Sequence, residues 1–302
     1  SLTKLQHLQF RHPTKAKELA HLCNLSSLTS LDCLEEVLGE REMSYIVPLA
    51  SQLQSFKLTY VTEADDLVEQ ELLSHFTHLE HLRIFLSYSA QVTLKPFRTM
   101  TNLRFLELDT ESDGLEEESY RYLAPLVQLH TLKLSRLASK DVLGFPYLTT
   151  LTNLRVLELE SGEFYDADMA IIVQSFQTVH ELLLSVCHEL SSDGIVQLQA
   201  LPHLQSLSIE GCENIGAEVL ESVGLISKLS KLFIDDCEKM EIHSLEPLFP
   251  LIKSLVELVV RAEVVDEAVM EQVKQFVNLR VLSLGLEEEA QTGDSVATIG
   301  QS

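Results

Sequence analysis

Three stretches of the chain, residues 179–187 (VHELLLSVC), 204–212 (LQSLSIEGC) and 229–237 (LSKLFIDDC), repeat one pattern at a spacing of 25 residues. Each sets apolar residues at its first, fourth and sixth positions: Val179/Leu182/Leu184, Leu204/Leu207/Ile209 and Leu229/Leu232/Ile234. The last two of each triplet lie two residues apart. Both therefore project to one face of a short strand, while the residues between and beside them project to the other. The same triplet recurs outward in both directions, its first positions being Leu5, Leu28, Leu53, Leu79, Leu103, Leu129, Leu154, Val179, Leu204, Leu229, Leu255 and Leu279. Eleven steps of 23 to 26 residues cover the 274 residues from Leu5 to Leu279. One such strand cannot bury its apolar face alone, so a fixed period of this kind predicts parallel strands stacked over a shared core.

Between strands the chain must return along the other side of that core. Asp166–Phe176, Asp193–Leu201, Ala217–Leu225 and Asp266–Phe276 read as short helices, with Asp166, Asp193 and Asp266 where N-caps belong. Lys95-Pro96-Phe97 and Phe145-Pro146-Tyr147 read as shorter, 3₁₀-like returns, because proline removes a backbone donor. Helices are wider than strands, which predicts a stack bent with the sheet on its inner side.

On these triplets the chain resembles the leucine-rich-repeat superfamily over essentially its whole length. The resemblance implies an α/β fold: a leucine-rich-repeat solenoid (horseshoe) with a concave parallel β-sheet and convex short helices, spanning residues 1–286. The polar, acidic stretch 287–302 is expected to be a disordered tail. The repeats with Cys187, Cys212 and Cys237 are similar to the cysteine-containing subtype found in many F-box substrate receptors, with L-x-L-x-x-C before a helical return. LELDTE (106–111) and LELESG (157–162) depart from that subtype.

Charge narrows the partner. The chain carries 22 Lys and Arg against 46 Asp and Glu, a formal net charge of −24. Nucleic acid and anionic membrane are poor partners for such a surface, since both need clustered cations. No run of about 18 uncharged apolar residues is present to span a bilayer. Five scattered cysteines without a CxxC pair give neither a disulfide framework nor a zinc site, and point to a reducing, cytoplasmic setting. The single sequon Asn24-Leu25-Ser26 keeps a secretory route open, and the alternative setting is that of a secreted effector acting inside a host cell.

No P-loop, dinucleotide fingerprint, HExxH or nucleophile elbow occurs, so the chain reads as non-enzymatic and without a cofactor. His75, His78 and His81 need not converge on a metal, because they straddle a strand anchor. Asp109–Gly114 mimics the start of a calcium loop but meets Tyr120 where the final Glu belongs. The cysteine ladder reads as thiols packed one above another at about 4.8 Å per rung.

What remains is the solvent face of the strands. From Arg83 through Glu107 and Lys133 to Glu158 the middle column alternates in sign, which predicts lateral ion pairs. Phe85, Phe105, Val156 and Leu183 are apolar where water is expected, and Glu107, Asp109, Glu158, Glu160 and Glu181 surround them. These nine residues form the expected contact surface for a protein or peptide partner bearing a basic segment, held by a monomeric adaptor, substrate receptor or microbial effector. The alternative is a catalytic regulator of the GTPase-activating or enzyme-inhibitor kind, whose repeats resemble a longer type of 28–29 residues.

Overall fold

The computed structural model describes residues 2–10, 19–61, 69–87, 94–110, 115–237, 240–262 and 264–285. The stretch 287–302 and residues 111–114 of the calcium-loop mimic lie outside them. The chain divides into two compact units, Ser1–Leu154 and Arg155–Ser302.

In the first unit, β1 (His7–Gln9), β2 (Ser30–Leu38), β3 (Ser55–Val61), β4 (His81–Ser87), β5 (Phe105–Thr110) and β6 (Thr131–Ser135) lie side by side in chain order. Each neighbouring pair is parallel and aligns anchor on anchor, as in Leu31, Phe56, Leu82, Leu106 and Leu132. The register slips once, between Cys33 and Val37, where β2 bulges against β3. In the second unit the strands are β7 (Val156–Glu160), β8 (Glu181–Ser185), β9 (Ser206–Glu210) and β10 (Lys231–Asp235). Beyond β10, two short strands, β11 (Glu241–Ile242) and β13 (Val264–Val265), pair with each other, while β12 (Glu257–Val260) and β14 (Val281–Leu284) continue the main sheet. Here Leu182, Leu207, Leu232, Leu258 and Leu282 are in register. The triplets from Leu28/Leu31/Cys33 to Leu255/Leu258/Val260 are buried at all three positions, which is the shared core that the period predicts.

The returns are short helices. Lys95–Thr99 and Phe145–Thr150 are 3₁₀, as expected, each with its proline in the first turn. The four expected helices form at Met169–Ser175, Ser192–Ile195, Val219–Gly224 and Glu267–Val273, the first two extended by 3₁₀ turns. Capping differs in two of three cases. Ser191 caps the second helix, accepting from the Asp193 amide at 3.2 Å, so Asp193 lies inside it. Before the first helix, Asp168 accepts from the Tyr165 amide at 2.9 Å, which frees Asp166 to accept from the Ser191 amide (2.8 Å) and hydroxyl (2.6 Å) one repeat on. Asp266 does hold the N-cap position of Glu267–Val273, with its carboxylate turned to His243 at 3.1 Å.

Two devices recur between repeats. Just before the strands, Asn102 donates to the Thr77 carbonyl (2.9 Å), Asn153 to Val127 (2.8 Å) and Asn278 to Lys253 (2.7 Å). Just after them, the chain turns through left-handed backbone at Arg136, Ser161, Val186, Gly211 and Asp236, again 25 residues apart.

Candidate functional site

The outward side chains of β4 and β5 come together in the first unit. Phe85, Phe105, Glu107 and Asp109 are half-buried between fully buried anchors. Arg83 on β4 meets Glu107 on β5 at 2.7 Å, the lateral pairing that alternating signs predict. Arg136, one residue past β6, supplies what the strand pattern could not show. Its left-handed backbone swings the side chain back over the sheet, where it pairs with Asp109 at 2.5 Å and donates to the Thr110 carbonyl at 2.9 Å. The guanidinium also stands 4.6 Å from the centre of the Phe85 ring, a cation–π contact. His81 stacks on Phe105 with ring centroids 6.2 Å apart. Two of the expected acids are thus matched by arginines, and both aromatics carry a neighbour. This face is balanced in charge.

The second unit differs. Val156, Glu158 and Leu183 are half-buried, and Glu160 and Glu181 are exposed. The register sets Glu158, Leu183, Ser208, Phe233 and Val259 in one row across five strands. Phe233 and Val259 extend the apolar part of the surface beyond the expected residues, and both were legible as outward positions of their strands. Strands β7, β8 and β9 carry Glu158, Glu160, Glu181 and Glu210 and no Lys or Arg. Farther along the sheet, Lys231 pairs with Glu257 at 2.8 Å and Arg261 with Asp235 at 2.7 Å. Of the nine expected residues, four gather in the first unit and five in the second.

Other groups singled out by the sequence fall into structural roles. Cys187, Cys212 and Cys237 are buried at the slot after the left-handed turn. The Cys187 amide donates to the Cys212 sulfur at 3.4 Å, and each thiol donates to a carbonyl two residues back. The Cys212 sulfur, with burial, pushes the Cys187 thiol above its ordinary range, and burial pushes Cys237 up to about 12. His75 engages the Leu72 carbonyl, His78 the Thr77 hydroxyl, and His81 the Phe105 ring, so the three point to different partners.

Asp141 was missed altogether as a key residue. It is 1 % exposed, and its carboxylate accepts from the Leu115 amide (2.7 Å), the Ala138 amide (2.7 Å) and the Tyr120 hydroxyl (3.0 Å). Burial raises its pKa despite these three donors. A polar cleft of about 670 Å³ also opens in the first unit, beside Gln54, His78, Glu80, Asn102, Arg104 and Gln128.

No protein family and no curated protein matches this chain by sequence. Among solved structures it is similar to the crystal structure of a TLR13–ssRNA13 complex, with a TM-score of 0.53 and 18% identity over 86% of this chain and 40% of that one. The chain therefore spans about two fifths of that protein's length, and the likeness concerns the fold. TLR13 is a leucine-rich-repeat protein. The recurring triplet, the parallel strands in anchor-on-anchor register and this likeness together give the chain the fold of a leucine-rich-repeat α/β solenoid.

Proposed function

We propose that the chain is a non-enzymatic interaction module whose exposed sheet face receives a protein or peptide partner carrying Lys or Arg beside an apolar residue. One observation carries this reading. Across β7 to β10 the exposed face sets Leu183 and Phe233 in one row among Glu158, Glu160, Glu181 and Glu210, with no cation on the first three strands. The apolar row supplies area, worth about 25 cal/mol per Å² buried, and the carboxylates steer a cationic ligand. Phe85, Phe105, Glu107 and Asp109 offer a second, charge-balanced surface in the first unit, suited to contact rather than steering. The crystal of TLR13 holds an RNA; for this chain a net charge of −24 argues against one, since phosphate contacts need clustered Lys and Arg. Among the described residues no helix is long and apolar enough to cross a membrane. An adaptor or an F-box-like substrate receptor in the cytoplasm, or an effector delivered into a host cell, would each use such a face.

The test is fluorescence anisotropy of the full chain with a labelled peptide alternating Lys and Leu, against the same peptide with Gln for Lys. The Lys peptide should bind, and Glu160→Lys with Glu210→Lys should weaken it about tenfold or more. Leu183→Ser with Phe233→Ser should weaken it severalfold with thermal melting preserved. Unchanged affinity in both pairs would move the interface off this face.

A further inference from the structure

The opposite side of the first unit carries a feature that repeat stacking does not need. Within the return helices of the described residues, Lys and Arg occur at Arg41, Lys95, Arg98, Arg121 and Lys140, while Lys274 stands at the C-cap of Glu267–Val273 and pairs with Glu271 at 2.6 Å. Four of the five belong to three successive repeats, on Lys95–Thr99, Glu117–Tyr122 and Ser139–Val142. Each return turns its apolar side chains inward: Pro96 and Phe97, then Tyr120, then Phe145 and Leu148. The cations therefore face solvent, with Tyr122 half-buried among them and Tyr147 and Leu143 exposed on the next return.

Arg121 organises the cluster. Its guanidinium stands 4.9 Å from the centre of the Tyr122 ring and donates to the Tyr122 hydroxyl at 3.0 Å. That hydrogen bond first, then the charge of Arg121 and, behind it, those of Lys95 and Arg98, hold the Tyr122 phenol below its ordinary range. Glu118 pairs with Arg121 at 3.3 Å, with the carboxylate 74% exposed. A pair so open to water contributes little and is readily exchanged. Solubility gives no reason for this cluster, because a chain at −24 is kept apart by its acids.

We infer that the return face formed by Lys95, Arg98, Arg121, Tyr122 and Tyr147 is a second docking surface, and that its occupant is a short acidic peptide segment of a partner protein. Carboxylates of the segment meet Arg98, Lys95 and Arg121, while an apolar side chain rests on Tyr147 and Leu143. Length follows from the stacking. Successive returns lie roughly 5–10 Å apart, between the strand and helix spacings, so three span roughly 10–20 Å, or about four to six residues of extended chain. A longer polyanion would run onto Glu116 and Glu117, which border the cluster on the same return and are exposed. This limit selects a peptide over a nucleic acid. The surface uses opposite chemistry to the sheet face of the second unit, so either can fail alone.

The full chain is titrated with a fluorescein-labelled hexapeptide alternating Glu and Leu, with its Gln-for-Glu counterpart, and with a six-nucleotide single-stranded RNA. The Glu peptide should bind at least about tenfold more tightly than the Gln peptide and weaken as salt rises from 50 to 300 mM, as exposed charges are screened. Lys95→Glu with Arg98→Glu should weaken it at least about tenfold, Tyr147→Ala severalfold, and Lys253→Glu, at an exposed lysine of the second unit, not at all, with all melting curves unchanged. Equal affinity for the Gln peptide would overturn the inference, as would equal weakening by Lys253→Glu. RNA binding as tight as the Glu peptide would replace the peptide with a general polyanion. Self-association of the chain that the Lys95→Glu, Arg98→Glu pair abolishes, with no peptide binding, would make a second copy the occupant and overturn it likewise.

Discussion

The two units repeat one anchor pattern, each with its own buried triplets, and differ in nearly everything outside it. Fourteen basic and twenty acidic residues precede Arg155, and eight and twenty-six follow from it, so the formal charges are −6 and −18. In the first unit, Arg83 and Arg136 meet Glu107 and Asp109 across the sheet face, and the returns carry a cationic cluster. In the second, three adjacent strands bear only acids among their charged residues, and the return helices from Asp166 to Leu251 bear no Lys or Arg. The anchors that build the stack are interchangeable, leucine for leucine. What distinguishes one stretch of it from another is written in the residues the stack does not need. Function is therefore to be sought there.

The buried staples offer the sharpest way to break the comparison. Asp141 in the first unit and Asp166 in the second both tie an amide of a neighbouring repeat, but Asp141 is fully buried and Asp166 half-exposed. Replacing Asp141 with Ala strands two amides and the Tyr120 hydroxyl without water, and should cost about 3 kcal/mol or more. Asp166→Ala, whose partners can turn to solvent, should cost about 1 kcal/mol. Urea unfolding of both variants decides it, and equal losses would show that burial is not what separates them.

Reactive thiols come next. Cys23 in the first unit is exposed, whereas Cys33, Cys187, Cys212 and Cys237 are buried. A thiol reagent in native buffer should label Cys23 at once and the other four at least about a hundredfold more slowly, because each must wait for local opening. Mass spectrometry of the time course reads this directly. Prompt labelling at Cys187 or Cys212 would mean that the second unit opens more readily than its core suggests.

The smallest effects lie at the left-handed turns. Val186 adopts φ 54° and Arg136 φ 57°, a region costing an ordinary residue roughly 1–2 kcal/mol and a β-branched one more. Val186→Gly should therefore raise stability by up to about 1 kcal/mol. Arg136→Gly gains the same relief but loses the Asp109 pair, the Thr110 hydrogen bond and the stacking on Phe85, and should lower stability by about 1 kcal/mol. Thermal melts that move the same way for both would remove the structural role assigned to Arg136.

How far the sequence could be read follows the same division. Every anchor triplet became a strand, because a two-residue alternation inside a fixed period leaves the backbone few choices. The helices appeared where apolar spacing placed them, yet Asp193 yielded the cap to Ser191, since serine and aspartate two residues apart compete for the same amides. The surface was harder. That Glu107 faces outward is visible in the alternation. That Arg136 reaches back to Asp109 is not, because the turn carrying it has a backbone conformation no strand pattern encodes. Asp141 escaped for a related reason: its donors come from Leu115 and Tyr120, more than twenty residues away, and only the stacked repeat brings them to it.

The carboxamides that precede the strands have a mechanical consequence. Asn102, Asn153 and Asn278 each reach back by one repeat and no farther. Load applied to one end of a unit therefore falls on a single seam, and the next bears it only after the first has parted. Such a unit yields by peeling, in steps of about one repeat, rather than by a single rupture. A pull of this kind would meet the cationic returns of the first unit or the acidic strands of the second one rung at a time, so a bound partner spanning several rungs would act as a splint.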